Sequence, residues 1–177
     1  MRKFSTRVGL FVILAGRLWA EEPALTMTLP VACKTIMGFE SYEELPGAAL
    51  TTEDKLLVYY RPLGYKIETT QTGGYRAHLV QEARVRRRGE KAVIWSKPIL
   101  DFEAKKQEPL GPIYLSNTIG MKKLKSGDYD LDIILHDKLA DATVTQILRF
   151  QVVPIKTEPG DKTKPPPSKT LGPAPDG

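Results

Sequence analysis

The sequence predicts an all-β fold, an antiparallel two-sheet sandwich of seven or eight short strands over residues 26–154. Three observations carry this expectation. Apolar residues recur at every second position, the period of a strand with one buried face, rather than every three or four. Turn signals such as Pro46-Gly47, Gly73-Gly74 and Gly89 arrive every ten residues or so and cut the chain into strand-sized pieces. No stretch carries the apolar stripe of a long amphipathic helix.

In chain order, residues 32–38 (ACKTIMG) read as the first strand. FESYEELPGAALTTED follows as a polar connection that turns at Pro46-Gly47. KLLVYYRPL, Lys55 to Leu63, is a β-rich run stopped by Pro62. IETTQTGGY reads as an exposed loop whose Gly73-Gly74 pair allows positive φ. AHLVQEARVRRRGEKAVIWSK reads as a β-hairpin turning near Arg88-Gly89-Glu90, with Leu79, Gln81, Ala83 and Val85 on one face and Glu82, Arg84 and Arg86 on the other. PILDFEAK and PIYLSNTIG each begin with Pro, which is tolerated where that amide stays out of the ladder. LKSGDYDLDIILHD and TVTQILRFQVV close the domain as a second hairpin through KLADA.

The run GDYDLDIILHD (127–137) places Asp128, Asp130 and Asp132 two apart. A calcium loop of the D-x-D-x-D kind needs a Gly at its sixth position and a distal Glu at its twelfth. Here Ile133 takes the sixth position and no Glu follows. The spacing predicts a strand instead, with Tyr129, Leu131, Ile133 and Leu135 inward and the acids outward. In Ig-like sandwiches the third and sixth strands lie side by side. That neighbourhood sets Arg84 and Arg86 opposite Asp130 and Asp132, at about 0.2–1 kcal/mol per opposite-charge pair. Tyr129 reads either as a tyrosine corner, its hydroxyl tied to a backbone group, or as an ordinary core tyrosine.

The ends of the chain speak of compartment. MRKFSTR, then VGLFVILAG (Val8–Gly16), then RLWA before EEPA reads as a secretory signal over 1–20, cleaved after Ala20. Its apolar core is shorter than the roughly 20 residues a bilayer span needs, and no other segment is long enough. The chain is therefore expected to be exported: periplasmic, in the cell envelope, or secreted. Cys33, the single cysteine, cannot form an internal disulfide, so the fold rests on its apolar core. It reads as a buried core residue or as a thiol that pairs with another molecule. Residues 155–177 are rich in Pro and Lys and nearly free of large apolar side chains, which predicts a disordered tail.

Charge removes one class of function. The chain carries a formal +5, but residues 21–154 hold 18 basic and 18 acidic residues. A nucleic-acid binder shows a net basic domain, so no nucleic-acid partner is expected. Catalytic patterns are also missing. His78 and His136 match no zinc spacing, and no G-x-S-x-G or glycine-rich phosphate loop is present. No enzyme activity, cofactor or metal is expected.

CKTIMGFESYEEL, DKLLVYYRPL, GGYRAHLVQEARVRRRGEKAV and LKSGDYDLDIILHDKLADATVTQILRFQVV follow one another over residues 26–153. In that order they resemble a family of short exported bacterial proteins of unassigned function, each a single Ig-like sandwich. The last stretch is the most telling: a Gly turn, Tyr-x-Leu, an apolar strand, a short acidic turn and a final strand. The resemblance implies an Ig-like or fibronectin III-like domain with no assigned catalytic residues. The expected function is non-catalytic binding of a protein partner in the cell envelope through loops or a sheet face. Candidate surface residues are Tyr65, Gly73, Gly74, Tyr75, Arg84 and Arg86, with the FESYEELPG connection beside them. The alternative is a polysaccharide-binding module using exposed aromatics such as Tyr59, Tyr60, Tyr65, Tyr75 and Trp95, although Tyr59 and Tyr60 must face opposite ways.

Overall fold

The computed structural model describes residues 24–155. The export signal read over 1–20 and the tail from 156 onward lie outside the described residues. The described part is all-β. In chain order the strands are β1 (Thr26–Met27), β2 (Val31–Gly38), β3 (Ser41–Glu44), β4 (Ala49–Leu50), β5 (Lys55–Tyr60) and β6 (Pro62–Leu63). They continue with β7 (Glu68–Thr69), β8 (Tyr75–Arg87), β9 (Val93–Lys106), β10 (Leu115–Gly120), β11 (Gly127–Asp137) and β12 (Ala142–Val152). Among the described residues no helix is long and apolar enough to cross a membrane.

One sheet runs β10-β5-β2-β3, antiparallel throughout. The other runs β4-β12-β11-β8, with β9 along the far edge of β8 and the short β7 meeting β8 at Tyr75 and Arg76. The β4–β12 contact is parallel and covers only Gln151 and Val152 of β12. A two-residue ladder, β1 with β6, ties the start of the domain to the end of β5.

The core lies between the two sheets. Leu56, Val58 and Tyr60 of β5 and Leu115 and Ile119 of β10 face Leu79, Ala83 and Val85 of β8, Leu131, Ile133 and Leu135 of β11, and Phe150 of β12. Each large apolar side chain contributes about 1.5–3 kcal/mol on full burial. A one-residue slip of β11 would turn Tyr129, Leu131, Ile133 and Leu135 to solvent together, which is what holds the register. A small polar cluster sits inside. Gln81 of β8 is 1% exposed, and its Oε1 accepts hydrogen bonds from the Tyr60 hydroxyl at 2.7 Å and from Asn117 Nδ2 at 2.6 Å. These two bonds tie the sheets together across the core.

Several elements differ from the sequence expectation. Within IETTQTGGY, expected as an exposed loop, Glu68–Thr69 forms β7 and Gly74 is buried, and Pro62–Leu63, expected to stop a strand, pairs with β1 as β6. PILDFEAK is not a separate strand but the second half of β9, a single strand of 14 residues. β9 carries two register shifts against β8, which leave Ile94 and Ile99 as extra residues. Pro98 sits opposite Glu82 beside one of these bulges, on an edge strand, where a missing N–H costs the ladder nothing. FESYEELPG is not wholly a connection: Ser41–Glu44 pairs with β2. It is an edge strand with mostly exposed side chains, so it shows no apolar alternation. β10 starts at Leu115, past the proline expected to open it.

Candidate interaction surface

On the outer face of β8 and β11 the two arginines stand opposite the two aspartates, as expected from strand neighbourhood, but in crossed order. Arg86 lies opposite Asp130 and Arg84 opposite Asp132. The closest ion pair, however, is diagonal. Arg86 grips Asp132 with two bonds, Nε to Oδ2 at 2.8 Å and Nη2 to Oδ1 at 2.6 Å. Arg84 turns instead to Glu82 of its own strand, Nε to Oε1 at 2.9 Å. Ser96 of β9 donates to the same carboxylate oxygen. Together these donors hold the Glu82 carboxyl below the usual range, Arg84 contributing most. Arg88 closes the row over Asp128 and Asp130, at 3.5 and 3.9 Å. The acidic strand is thus covered by arginines, and the sheet face is internally neutralised.

Tyr129 resolves the choice left open by the sequence. Its hydroxyl donates to the Lys125 carbonyl oxygen at 2.6 Å, four residues back, which is the geometry of a tyrosine corner. The strand enters through Gly127 at φ 149°, where a Cβ would stand 3.1 Å from Arg87 Nη1. The Arg87 guanidinium lies 5.6 Å from the Tyr129 ring centroid, so a side chain at 127 would displace it.

The Tyr65 to Tyr75 region lies at the opposite end of β8. Gly74 is buried, and a Cβ there would stand 2.7 Å from the Lys106 carbonyl oxygen. Thr70 closes the turn on it twice, its backbone N–H donating to Gly74 O at 2.7 Å and its side-chain Oγ1 accepting from Gly74 N at 3.0 Å. The segment after Tyr65 is anchored by the buried Asp137, whose carboxylate accepts from the amides of Lys66 at 2.6 Å and Leu139 at 2.9 Å. Tyr65 is half-buried against the core. Tyr65, Gly73, Gly74 and Tyr75 therefore gather at one end. Arg84 and Arg86 stand nine and eleven residues further along β8, at least about 25 Å away for an extended strand. The six candidates form two places, not one.

The aromatics divide similarly. Tyr60 enters the core and Tyr59 the outer face of the first sheet, as the alternation requires. Tyr59 is sandwiched between Tyr42, at 4.5 Å between centroids, and Tyr114, at 5.3 Å. It is only 3% exposed, and its hydroxyl accepts from the Glu40 amide at 2.9 Å. Cys33 lies buried on this same face, its thiol pushed up by burial and then by Glu44. Trp95 is far from this row, on β9.

A third place was not singled out by the sequence. β9 pairs with β8 along one edge, and among the described residues no strand covers its other edge. β10, which pairs only with β5, likewise has one free edge. Where these edges approach, Trp95, Ser96 and Lys97 of β9 and Ile119, Gly120, Lys122 and Lys123 line a cleft of about 360 Å³. Val93 and Ile94 beside it are 48% and 45% exposed. The readable signal was the unbroken run Ala92-Val93-Ile94-Trp95, apolar on both faces of a strand with nothing to cover one of them.

Among the described residues no group of three or more His, Cys, Asp or Glu side chains is placed to hold a metal ion. His78 Nε2 meets Asp101 Oδ1 at 2.8 Å across β8 and β9, and His136 Nδ1 meets the Thr143 hydroxyl at 2.9 Å across β11 and β12. The two imidazoles sit on separate strand pairs. No protein-family model matches this chain, and no curated protein matches it either.

Proposed function

We propose that the chain is an exported, non-catalytic module of the cell envelope that binds a protein partner through a free sheet edge. Its fold is read here as an Ig-like, fibronectin III-like sandwich. Strand order supports that reading. Leaving aside the short pieces and β3, the seven remaining strands are β2, β5, β8, β9, β10, β11 and β12. The third lies beside the sixth and the sixth beside the seventh, as in Ig-like domains. The tyrosine corner at Tyr129 adds to it.

The observation that carries the binding reading is the free edge of β9, fourteen residues long with Val93 and Ile94 exposed. Such an edge is a template for another strand, and proteins ordinarily blunt it with charge or proline. Pro98, Lys105 and Lys106 guard its second half. Between Val93 and Ser96 there is no charge and no proline. The loops at the Tyr65 end have less support, because Gly74 and the backbone beside Tyr65 are occupied by contacts inside the domain. The carbohydrate reading also has less support. A ring stacked on one neighbour and covered by a second, tilted one, as Tyr59 is at 3% exposure, has no face left for a sugar.

Crosslinking and pull-down of the tagged full chain from the envelope fraction of its own cells tests this. One dominant protein partner is expected. Enriched polysaccharide without a protein partner would replace the reading with the carbohydrate one, and an empty pull-down would remove it.

A further inference from the structure

We propose that the cleft between the free edges of β9 and β10 receives an acidic, extended segment of a partner protein, added as a strand along Val93–Lys97. This rests on the protein-binding reading above and says which chemistry the partner brings. Three arginines of the outer sheet face are spent on their own carboxylates: Arg84 on Glu82, Arg86 on Asp132, Arg88 on Asp128 and Asp130. Lys97, Lys122 and Lys123 are all exposed, and among the described residues none of them has a carboxylate within ion-pair distance. Three cations without an ion-pair partner therefore stand around one cleft that holds no carboxylate.

The cleft floor is apolar where the rim is basic. Trp95 is half-buried and packs on the core, and Ile119 belongs to the core. The Lys97 ammonium lies 5.6 Å from the Trp95 ring centroid. A strand presents alternate side chains to opposite directions. A segment alternating acidic and apolar residues would set its apolar side chains over Trp95 and Ile119 and its carboxylates among the lysines. Its backbone would pair with the edge of β9 on either side of the Ile94 bulge. Gly120, the last residue of β10, leaves room for this approach: nothing lies within 4 Å of where its Cβ would be.

That open space also supplies the control. Gly120→Tyr meets no neighbour at Cβ, so the fold accommodates it while the ring adds bulk at the lip of the cleft. K122E/K123E reverses two exposed charges. The full chain is titrated into a fluorescein-labelled nine-residue peptide alternating Glu with Val, and into the same peptide with Lys for Glu. Fluorescence anisotropy should show saturable binding of the Glu peptide only. K122E/K123E and Gly120→Tyr should each weaken it at least tenfold, and raising the salt from about 0.05 to 0.5 M should weaken it further, as screening requires. No binding of the Glu peptide, equal binding of the Lys peptide, or binding unchanged in both variants would overturn the proposal. So would alginate binding through the same lysines in place of the peptide, or a dimer of this chain abolished by Gly120→Tyr, which would seat a second copy there. The broader reading fails separately: there the wild-type chain captures no partner at all, whereas a partner held equally well by K122E/K123E overturns the cleft alone.

Discussion

Tyr129 and Lys125 are joined by a hydrogen bond of 2.6 Å, from the tyrosine hydroxyl to the lysine carbonyl oxygen, across the turn that feeds β11. The ring itself is buried and stacks on Phe150 at 5.4 Å between centroids. One side chain thus fixes both the core register of β11 and the path of the chain entering it. Tyr129→Phe keeps the ring and removes the bond. It is expected to cost about 1 kcal/mol, the net worth of a typical hydrogen bond. Urea unfolding of the two forms checks this; equal midpoints would mean the corner adds nothing to stability.

Gln81 is the acceptor shared by Tyr60 and Asn117 in the middle of the core, while its own Nε2 has no partner. Gln81→Leu removes an imperfectly satisfied amide but strands two donors. The stranded donors win, because each buried unpaired group costs about 1–3 kcal/mol. The single variant should therefore be destabilised by about 2 kcal/mol or more. The triple variant Gln81→Leu, Tyr60→Phe, Asn117→Leu should recover much of that loss. A single variant as stable as the parent would show the triad to be without consequence.

Acid should weaken the fold. Glu82 is held below the usual carboxylate range chiefly by its bond from Arg84, Glu103 chiefly by Lys105, and Asp54 chiefly by the Thr51 amide. A depressed folded-state value means that the stabilisation is present above the unfolded values, about 4.3 for Glu and 3.9 for Asp, and is lost as pH falls through the lower folded ones. The groups are exposed, so each effect is small. Urea midpoints are expected to be level between pH 5 and 7 and to drop below about pH 4.5, less steeply in Glu82→Gln. A midpoint that rises on acidification would contradict the sign.

Cys33 should be inert while the domain is folded. It is 2% exposed, and burial followed by the nearby Glu44 raises its thiol. Only the thiolate reacts readily. Ellman's reagent at pH 7.5 should label it at least tenfold faster in 6 M urea than in buffer. Equal rates would point to a thiol open to pairing with another molecule.

The hairpins were legible because each alternates over many residues. Leu79 to Val85 and Tyr129 to Leu135 put their apolar side chains on one face, although Asp130 and Ile134 on the other face of β11 are covered too; that Arg84 and Arg86 stand opposite Asp130 and Asp132 followed from period and strand neighbourhood, but not which faces which. The diagonal grip of Arg86 on Asp132 did not, since arginine length lets it choose between neighbours. β3 was hidden because an edge strand buries little, and β9 was split in two because Pro98 looks like a strand start unless the bulge and the free edge are known. The cleft was illegible for a deeper reason. Trp95 and Ile119 stand on different sheets, and only the packing of one sheet on the other brings them together.

The central claim is that the free edge of β9 is where a partner protein binds. A photo-crosslinking amino acid at Ile94, in the full chain and in its own cells, tests it most directly, with the same group at Glu53, in the turn before β5, as control. The account predicts one dominant protein adduct from position 94 and none of that species from position 53. The same adducts from both positions, or none from position 94, would contradict it.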